Sequence, residues 1–385
     1  MRDDARICAI TTVPITMGTF VVPMMDYLSE NNYEVTLLCS MDQQFLDTHK
    51  KRFSCVSISM GRGLDPVGGV LATWKMYRLF RKERFDMVQY ATPNAAFYAS
   101  IAAWLARIPH RVYCQWGIRY VGYDGVKRRI FRGIEKITCR LSTHIRPASR
   151  KNLQFAVDEG LYLSGKADVV GDGGTIGVDL SQYDFNQKDK WRKEVRGQLD
   201  ITGKTVFGFV GSVRPDKGCN ELLTAFREVN KYDNNFALIL IGSEFDQDPL
   251  DPELRSWALQ CEAVIFCGQV LDTFRYLAAM DILVHPSYRE GFSMVIQEAA
   301  ALALPVITTD IPGPSEVIEE NVTGLLVPPK DAAALSDAML QLGVDITLHK
   351  KMGDAGLERN RQLFERSIML NKVLQDRDGI MGRTL

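Results

Sequence analysis

The chain of 385 residues has no apolar run of membrane-spanning length; the best stretch, Ala95 to Leu105, is short and is interrupted by Ser100. It also has almost no net charge. Lys and Arg total 46 against 47 Asp and Glu, a formal balance of −1, which gives no bulk attraction to nucleic acid. The eight cysteines are scattered, without a Cys-x-x-Cys pair or a neighbouring histidine cluster. Cys261 and Cys267 come closest in sequence, and neither a disulfide framework nor a zinc site is expected. Buried, reduced thiols of a cytoplasmic protein fit this pattern better. Asp3 and Asp4 stand where a secretory leader would be basic, and Ile7 to Thr11 is strand-like, so no leader is expected. Hairpin signals are missing as well.

What remains is an alternation of short apolar strands with helical stretches, in a chain long enough for two domains of ordinary size. In the first half the strands are expected at Arg6–Thr12, Glu34–Cys39, Ser54–Ser59, Met87–Ala91 and Arg111–Gln115. A loop, Val13–Gly18, follows the first, and then a helix over Thr19–Glu30 that buries Phe20, Val21, Met24, Met25 and Leu28. In the second half the pattern returns at Thr205–Val210, Phe236–Ile241, Ala263–Phe266, Ile282–Val284 and Pro305–Thr308, and the chain after Asp331 reads as helical to near its end. This predicts an α/β fold of parallel sheets covered on both faces, with ligands met at the carboxyl ends of the strands. The polar stretch Ser181–Lys190 is the candidate linker. Gly171 to Gly177 does not fit a dinucleotide fingerprint, because its third glycine comes one place late and no helix follows.

The most informative stretch is Ser287 to Ala303. Glu290 sits in a loop at a strand's carboxyl end, Ser293 is placed to cap a helix, and Glu298 follows inside that helix among Val295, Ile296, Ala299, Ala300 and Leu302. A helix N-terminus here offers unpaired N–H groups and a positive dipole end to a phosphate. A carboxylate on so apolar a segment needs a partner, and a ligand hydroxyl would serve. On spacing alone, Glu290 could equally cap a turn and Glu298 face solvent beside Gln297. A second loop, Gly211 to Gly218, carries Arg214 and Lys217 between a strand and a helix, and can cradle a diphosphate. Two basic helices, 74–84 with Trp74, Tyr77 and Phe80, and 126–140 with Arg128, Arg132, Lys136 and Arg140, suit an anionic membrane surface or plain solvent. On the second, Ile130, Ile134, Ile137 and Leu141 form the apolar face.

Glu290 and Glu298, seven residues apart, resemble the Glu-x7-Glu signature of the retaining glycosyltransferases of family four, and the similarity continues through Leu304–Asp310, Gly313–Glu316 and Asn321–Pro328. The nearest branch builds capsule, O-antigen and other lipid-linked oligosaccharides, and the likeness spans nearly the whole chain. It implies the GT-B fold, two facing Rossmann-like domains with an interdomain cleft. Residues 1–184 would form the acceptor-side domain, with the last helix, 365–385, packing back on it; residues 190–364 would bind the donor. By resemblance Lys217 clamps the donor phosphates and Glu290 orients the sugar. Glu298 binds ribose, Val270 borders the base, and Gly291, Phe292, Ser293 and Met294 form the helix N-terminus at the diphosphate. Gly18 reads from sequence as a plain loop glycine, and the resemblance implies that its loop lies over the donor sugar. Thr92 and Asn94 follow a strand and are expected on the acceptor side, as is Trp116, which at its strand end would wall a sugar face or pack in the core.

Two positions depart from the family. Trp116 stands where a histidine precedes Gly117, and Ser212 replaces an arginine whose task Arg214 would take over. The expected reaction is metal-independent front-face transfer from a nucleotide-sugar, UDP-linked by resemblance, to a lipid-linked saccharide. No metal ligands and no cofactor beyond the donor are expected. The enzyme would work peripherally on the inner face of the cell membrane. A nucleotide-sugar epimerase of the same architecture and a non-catalytic member of a synthesis complex remain alternatives.

Overall fold

The structure is a computed structural model and describes residues 4–61, 63, 65–183, 185–244 and 249–383. It divides into two compact units, Met1–Ile176 with Met369–Leu385, and Gly177–Ile368.

The first unit is built on β1 (Ala5–Ile10), β2 (Tyr33–Cys39), β3 (Ser54–Ser57), β4 (Met87–Tyr90), β5 (His110–Gln115) and β6 (His144–Pro147). They form one sheet in the order β3-β2-β1-β4-β5-β6, every pair parallel. The second unit repeats the plan with β7 (Thr205–Val210), β8 (Phe236–Ile241), β9 (Val264–Gly268), β10 (Ile282–His285), β11 (Val306–Thr309) and β12 (Gly324–Val327), in the order β12-β11-β10-β7-β8-β9. Its pairs are parallel too. Helices cover both faces, so the central strands are apolar along their whole length: Ile7 to Ile10 and Phe236 to Ile241 are buried without a break. Each fully buried Val, Leu, Ile or Phe contributes roughly 1.5–3 kcal/mol. In each sheet the strand order reverses beside its first strand, between β1 and β4 and between β7 and β10. Ligands in doubly wound sheets bind at such points.

Four expectations need correction. The Val13–Gly18 loop is absent, because Pro14 opens helical structure at once and Met17–Val21 is a π-helical turn that holds Gly18. The linker over Ser181–Lys190 is largely helix, since Phe185–Gln198 begins inside it. That helix is tied down through Arg196, whose guanidinium reaches the Asp281 carboxylate at 2.6 Å, and Val178 forms a parallel bridge with Glu365, Val178 N donating to Phe364 O at 2.8 Å and Arg366 N to Val178 O at 2.9 Å. The boundary therefore falls at Ile176/Gly177, ahead of the expected 184–190. On the Gly125–Leu141 helix the buried residues are Phe131, Glu135, Thr138 and Cys139, whereas Ile130 and Ile137 are 47% and 46% exposed. The face is turned because Glu135 is drawn inward as acceptor for Tyr113 Oη at 2.9 Å and Gln115 Nε2 at 2.6 Å. Strands β6 and β12 were missed; β6 carries His144, Arg146 and Pro147 in only four residues.

The last helix, Arg366–Met381, passes from the second unit into the first. Within the first unit Arg377 Nε donates to Gln89 Oε1 at 2.8 Å, Tyr33 Oη to Asp378 Oδ1 at 2.8 Å, and Arg146 Nε to Asp376 Oδ1 at 2.7 Å. Among the described residues no helix is long and apolar enough to cross a membrane.

Candidate active site

The site in the second unit is assembled by β7 and β10, neighbours at the reversal of strand order. The loop after β7 ends at Gly218, whose φ of +72° and close approach to Pro286 exclude any side chain: a Cβ there would lie 2.0 Å from the Pro286 carbonyl oxygen. This contact seats the loop against the exit of β10. It brings Lys217 Nζ to 2.5 Å from Glu290 Oε1, which also accepts from Ser287 Oγ at 3.2 Å. Both side chains are about four-fifths buried, at 22% and 21% exposure. Burial works to raise the Glu290 carboxyl, but the Lys217 ammonium, His285 and the Ser287 hydroxyl outweigh it and hold it below the ordinary range.

His285, the last residue of β10, was missed as a functional residue; a single histidine ending an apolar strand gives little signal in sequence. Its Nε2 lies 3.3 Å from Ser293 Oγ and 3.6 Å from Glu290 Oε1, and its Nδ1 is buried without a hydrogen-bond partner. The two oxygens favour the tautomer with the proton on Nε2, leaving Nδ1 as an unprotonated acceptor. Burial pushes the ring's pKa down despite the Glu290 carboxylate, so the imidazole is neutral near pH 7.

Ser293 caps the Met294–Ala301 helix, accepting from Ile296 N at 3.4 Å. Gly291 before it is pressed by Gly313, where a Cβ would stand 2.3 Å from the Gly291 carbonyl oxygen. Phe292 is buried against Phe364, ring centroids 5.5 Å apart, and Met294 is half-buried in the first turn. Glu298, further along the helix, is half-buried and has no hydrogen-bond or ion-pair partner among the described residues. Burial raises its carboxyl, and Arg366 opposes this only from a distance. Of the loop cations, Arg214 is committed to Asp216, Nε to Oδ1 at 2.6 Å, and Arg289 reaches the same carboxylate at 3.0 Å. Ser212 is half-buried two residues before Arg214; Val270 follows the edge strand β9, two strands from β7.

In the first unit Thr92, after β4, takes a φ of +66°, an unfavourable region for a β-branched residue. It is held there by Thr12, after β1, whose N–H donates to Thr92 Oγ1 at 3.0 Å and whose hydroxyl lies 2.7 Å from it. Asn94 is occupied: its Nδ2 donates to the carbonyls of Gly61 and Gly63 at 2.6 and 2.8 Å, and Oδ1 accepts from Arg119 at 3.1 Å. Trp116 is half-buried after β5, its ring 5.8 Å from Phe20. Gly18 is half-buried, with Phe45 the nearest side chain to where a Cβ would stand, at 3.7 Å. Among the described residues no three His, Cys, Asp or Glu side chains gather as a metal-ligand set.

Two doubly wound parallel sheets, the second with a cation, two carboxylates and a helix N-terminus at its reversal point, define a two-domain α/β protein of the GT-B class. Known proteins agree. The family described as "Glycosyl transferase 4-like" matches residues 6–147, and "Glycosyl transferases group 1" matches residues 204–345. The capsular polysaccharide biosynthesis glycosyltransferase CapM of Staphylococcus aureus is 28% identical over 375 residues, 96% of each chain. The UDP-Gal:alpha-D-GlcNAc-diphosphoundecaprenol alpha-1,3-galactosyltransferase of Escherichia coli is 22% identical over 361 residues, 89% of each. Among solved structures, Anabaena Alr3699/HepE in complex with UDP and glucose superposes with a TM-score of 0.80 at 18% identity, covering 97% of this chain and 100% of that one. The chain belongs to the glycosyltransferase family that these descriptions name.

Proposed function

We propose that this glycosyltransferase moves a sugar, with retention of configuration, from a UDP-sugar to a lipid-linked saccharide of a bacterial surface polysaccharide. The observation that carries the reading is the Lys217–Glu290 pair beside the capped N-terminus of the Met294–Ala301 helix. As the bond from the sugar's anomeric carbon to the β-phosphate oxygen loosens, negative charge grows on the diphosphate. Lys217 Nζ and the backbone N–H groups from Phe292 to Met294 meet that charge, and Arg214 adds to it if Asp216 releases it. Glu290 stays ionised because Lys217 holds it so; it orients the donor sugar and steadies positive charge at the anomeric carbon. Glu298, with no hydrogen-bond or ion-pair partner among the described residues, takes the ribose hydroxyls. The donor's own phosphate assists loss of the acceptor's proton on the same face, and no step calls for a metal.

The acceptor side is assigned to the first unit, at Thr92 and Trp116. Two helices there, Pro66–Glu83 and Gly125–Leu141, set exposed Trp74, Ile130 and Ile137 among lysines and arginines, which suits peripheral attachment to an anionic membrane on the cytoplasmic side. Support for the donor and acceptor comes from the Escherichia coli relative, whose name carries both UDP-Gal and a diphosphoundecaprenol acceptor.

The test is to incubate the full chain with a panel of UDP- and GDP-sugars and prenyl-diphosphate saccharides, following products by mass spectrometry and anomeric configuration by NMR. Transfer from a UDP-sugar with retention supports the reading. Conversion of donor alone would mark an epimerase, and donor binding without any product would mark a non-catalytic member of a synthesis complex.

A further inference from the structure

A groove in the first unit is lined along the Gly125–Leu141 helix by Arg128, Arg129, Arg132 and Lys136, with Glu159 as the one acid among its described lining residues. Two of the cations are fixed in place. Arg128 reaches Glu159 Oε1 at 3.1 Å and lies over the Tyr120 ring at 5.3 Å, while Arg132 Nε reaches Glu159 Oε2 at 3.0 Å. Tyr120 Oη donates to the same carboxylate at 3.2 Å. Arg129 and Lys136 are exposed and have no ion-pair partner among the described residues. Four cations against one carboxylate leave a surplus of three positive charges in a concave place.

Gly133, exposed, also lines the groove in the middle of a helix, where glycine weakens the fold relative to alanine. Nothing lies within 4 Å of where its Cβ would stand, so no packing contact inside the protein calls for glycine there. An approach by a ligand to the helix backbone would. Bare backbone flanked by preorganised arginines suits a group with several anionic oxygens and little bulk.

We propose that this groove is a diphosphate site that receives the prenyl-diphosphate end of the acceptor. The inference rests on the reading of the acceptor as lipid-linked, and it adds a site separate from Lys217 and Glu290. Phosphates of bilayer lipids share the same chemistry, and the experiment distinguishes the two sources.

Farnesyl diphosphate is titrated by calorimetry into the full-length wild type and three variants. Arg129→Ala/Lys136→Ala is expected to weaken binding about tenfold or more, and Lys217→Met to leave it within about twofold. Gly133→Leu is expected to weaken binding about fivefold or more without lowering the melting temperature, since its Cβ meets no atom within 4 Å and leucine favours the helix over glycine. Wild-type affinity in both groove variants overturns the proposal. So does unchanged farnesyl diphosphate binding together with lost attachment to phosphatidylglycerol vesicles, which would make the groove a bilayer contact. UDP protection against unfolding is read on the same proteins. Its absence in wild type would count against the transferase reading alone, because the groove titration does not depend on it.

Discussion

Replacing Lys217 by methionine keeps the side chain's length and removes its charge, leaving the Glu290 carboxylate four-fifths buried with His285 and Ser287 beside it. Two unit charges about 4 Å apart attract by roughly 4 kcal/mol at an effective dielectric of 20. Desolvation and residual exposure reduce the net cost of losing the ammonium to about 1–3 kcal/mol at neutral pH. The sign of the pH dependence follows from Glu290. Its carboxyl lies below the ordinary range in the folded wild type, so that stabilisation is present above the unfolded carboxylate's pKa and is lost as pH falls through the folded value. In Lys217→Met the principal opposing charge is gone and burial acts to lift the carboxyl. The stability gap between wild type and variant should therefore be widest near pH 7 and close in acid. Adding Glu290→Gln removes the stranded charge and should return most of the lost stability. Turnover should not return, because the diphosphate has lost its cation: a fall of about 10²–10³-fold, roughly 2.7–4 kcal/mol, is expected in the single variant, and a fall at least as large in the double variant, which has lost the Glu290 carboxylate too. Denaturant unfolding across pH and steady-state transfer from the donor that the wild type uses measure both effects. Near-wild-type turnover in Lys217→Met, or stability losses that simply add in the double variant, would refute the reasoning.

Glu298→Gln should be at least as stable as wild type at pH 7, because burial raises the Glu298 carboxyl and makes its ionised form a liability in the folded state. That advantage should vanish below the unfolded carboxylate's pKa of about 4.3, while KM for the donor rises about tenfold or more. His285→Leu removes the Nε2–H placed toward Glu290 and Ser293, and should lower kcat about tenfold with little change in donor KM. His285→Gln, which can present an amide N–H near the same place, should recover most of it; equal losses in the two variants would reduce His285 to packing.

The fold was legible because parallel sheets buried on both faces write themselves as uninterrupted apolar runs: β7 and β8 begin and end where the sequence places them. Short strands with polar residues were not legible, as at His144–Pro147, because pairing with β5 and not residue type makes them strands. Glu290, Lys217 and Ser293 were named from sequence and stand together at one strand reversal. What sequence could not supply was their company. The closeness of Lys217 to Glu290 depends on Gly218 meeting the Pro286 carbonyl, and the neutral His285 only becomes a partner once β10 ends beside the Ser293 cap. Asn94 is an acceptor-side candidate in sequence because it follows a strand, yet in the structure its amide is used up on Gly61, Gly63 and Arg119. On the Gly125–Leu141 helix, periodicity favoured the isoleucines, and a buried carboxyl–tyrosine–glutamine network turned the face instead.

The most direct measurement is a crystal of the full chain soaked with UDP. The β-phosphate is expected within hydrogen-bonding distance of Lys217 Nζ and of the N–H groups opening the Met294–Ala301 helix, with both ribose hydroxyls on the Glu298 carboxylate. A nucleotide bound elsewhere, or ribose hydroxyls turned away from Glu298, would contradict the account.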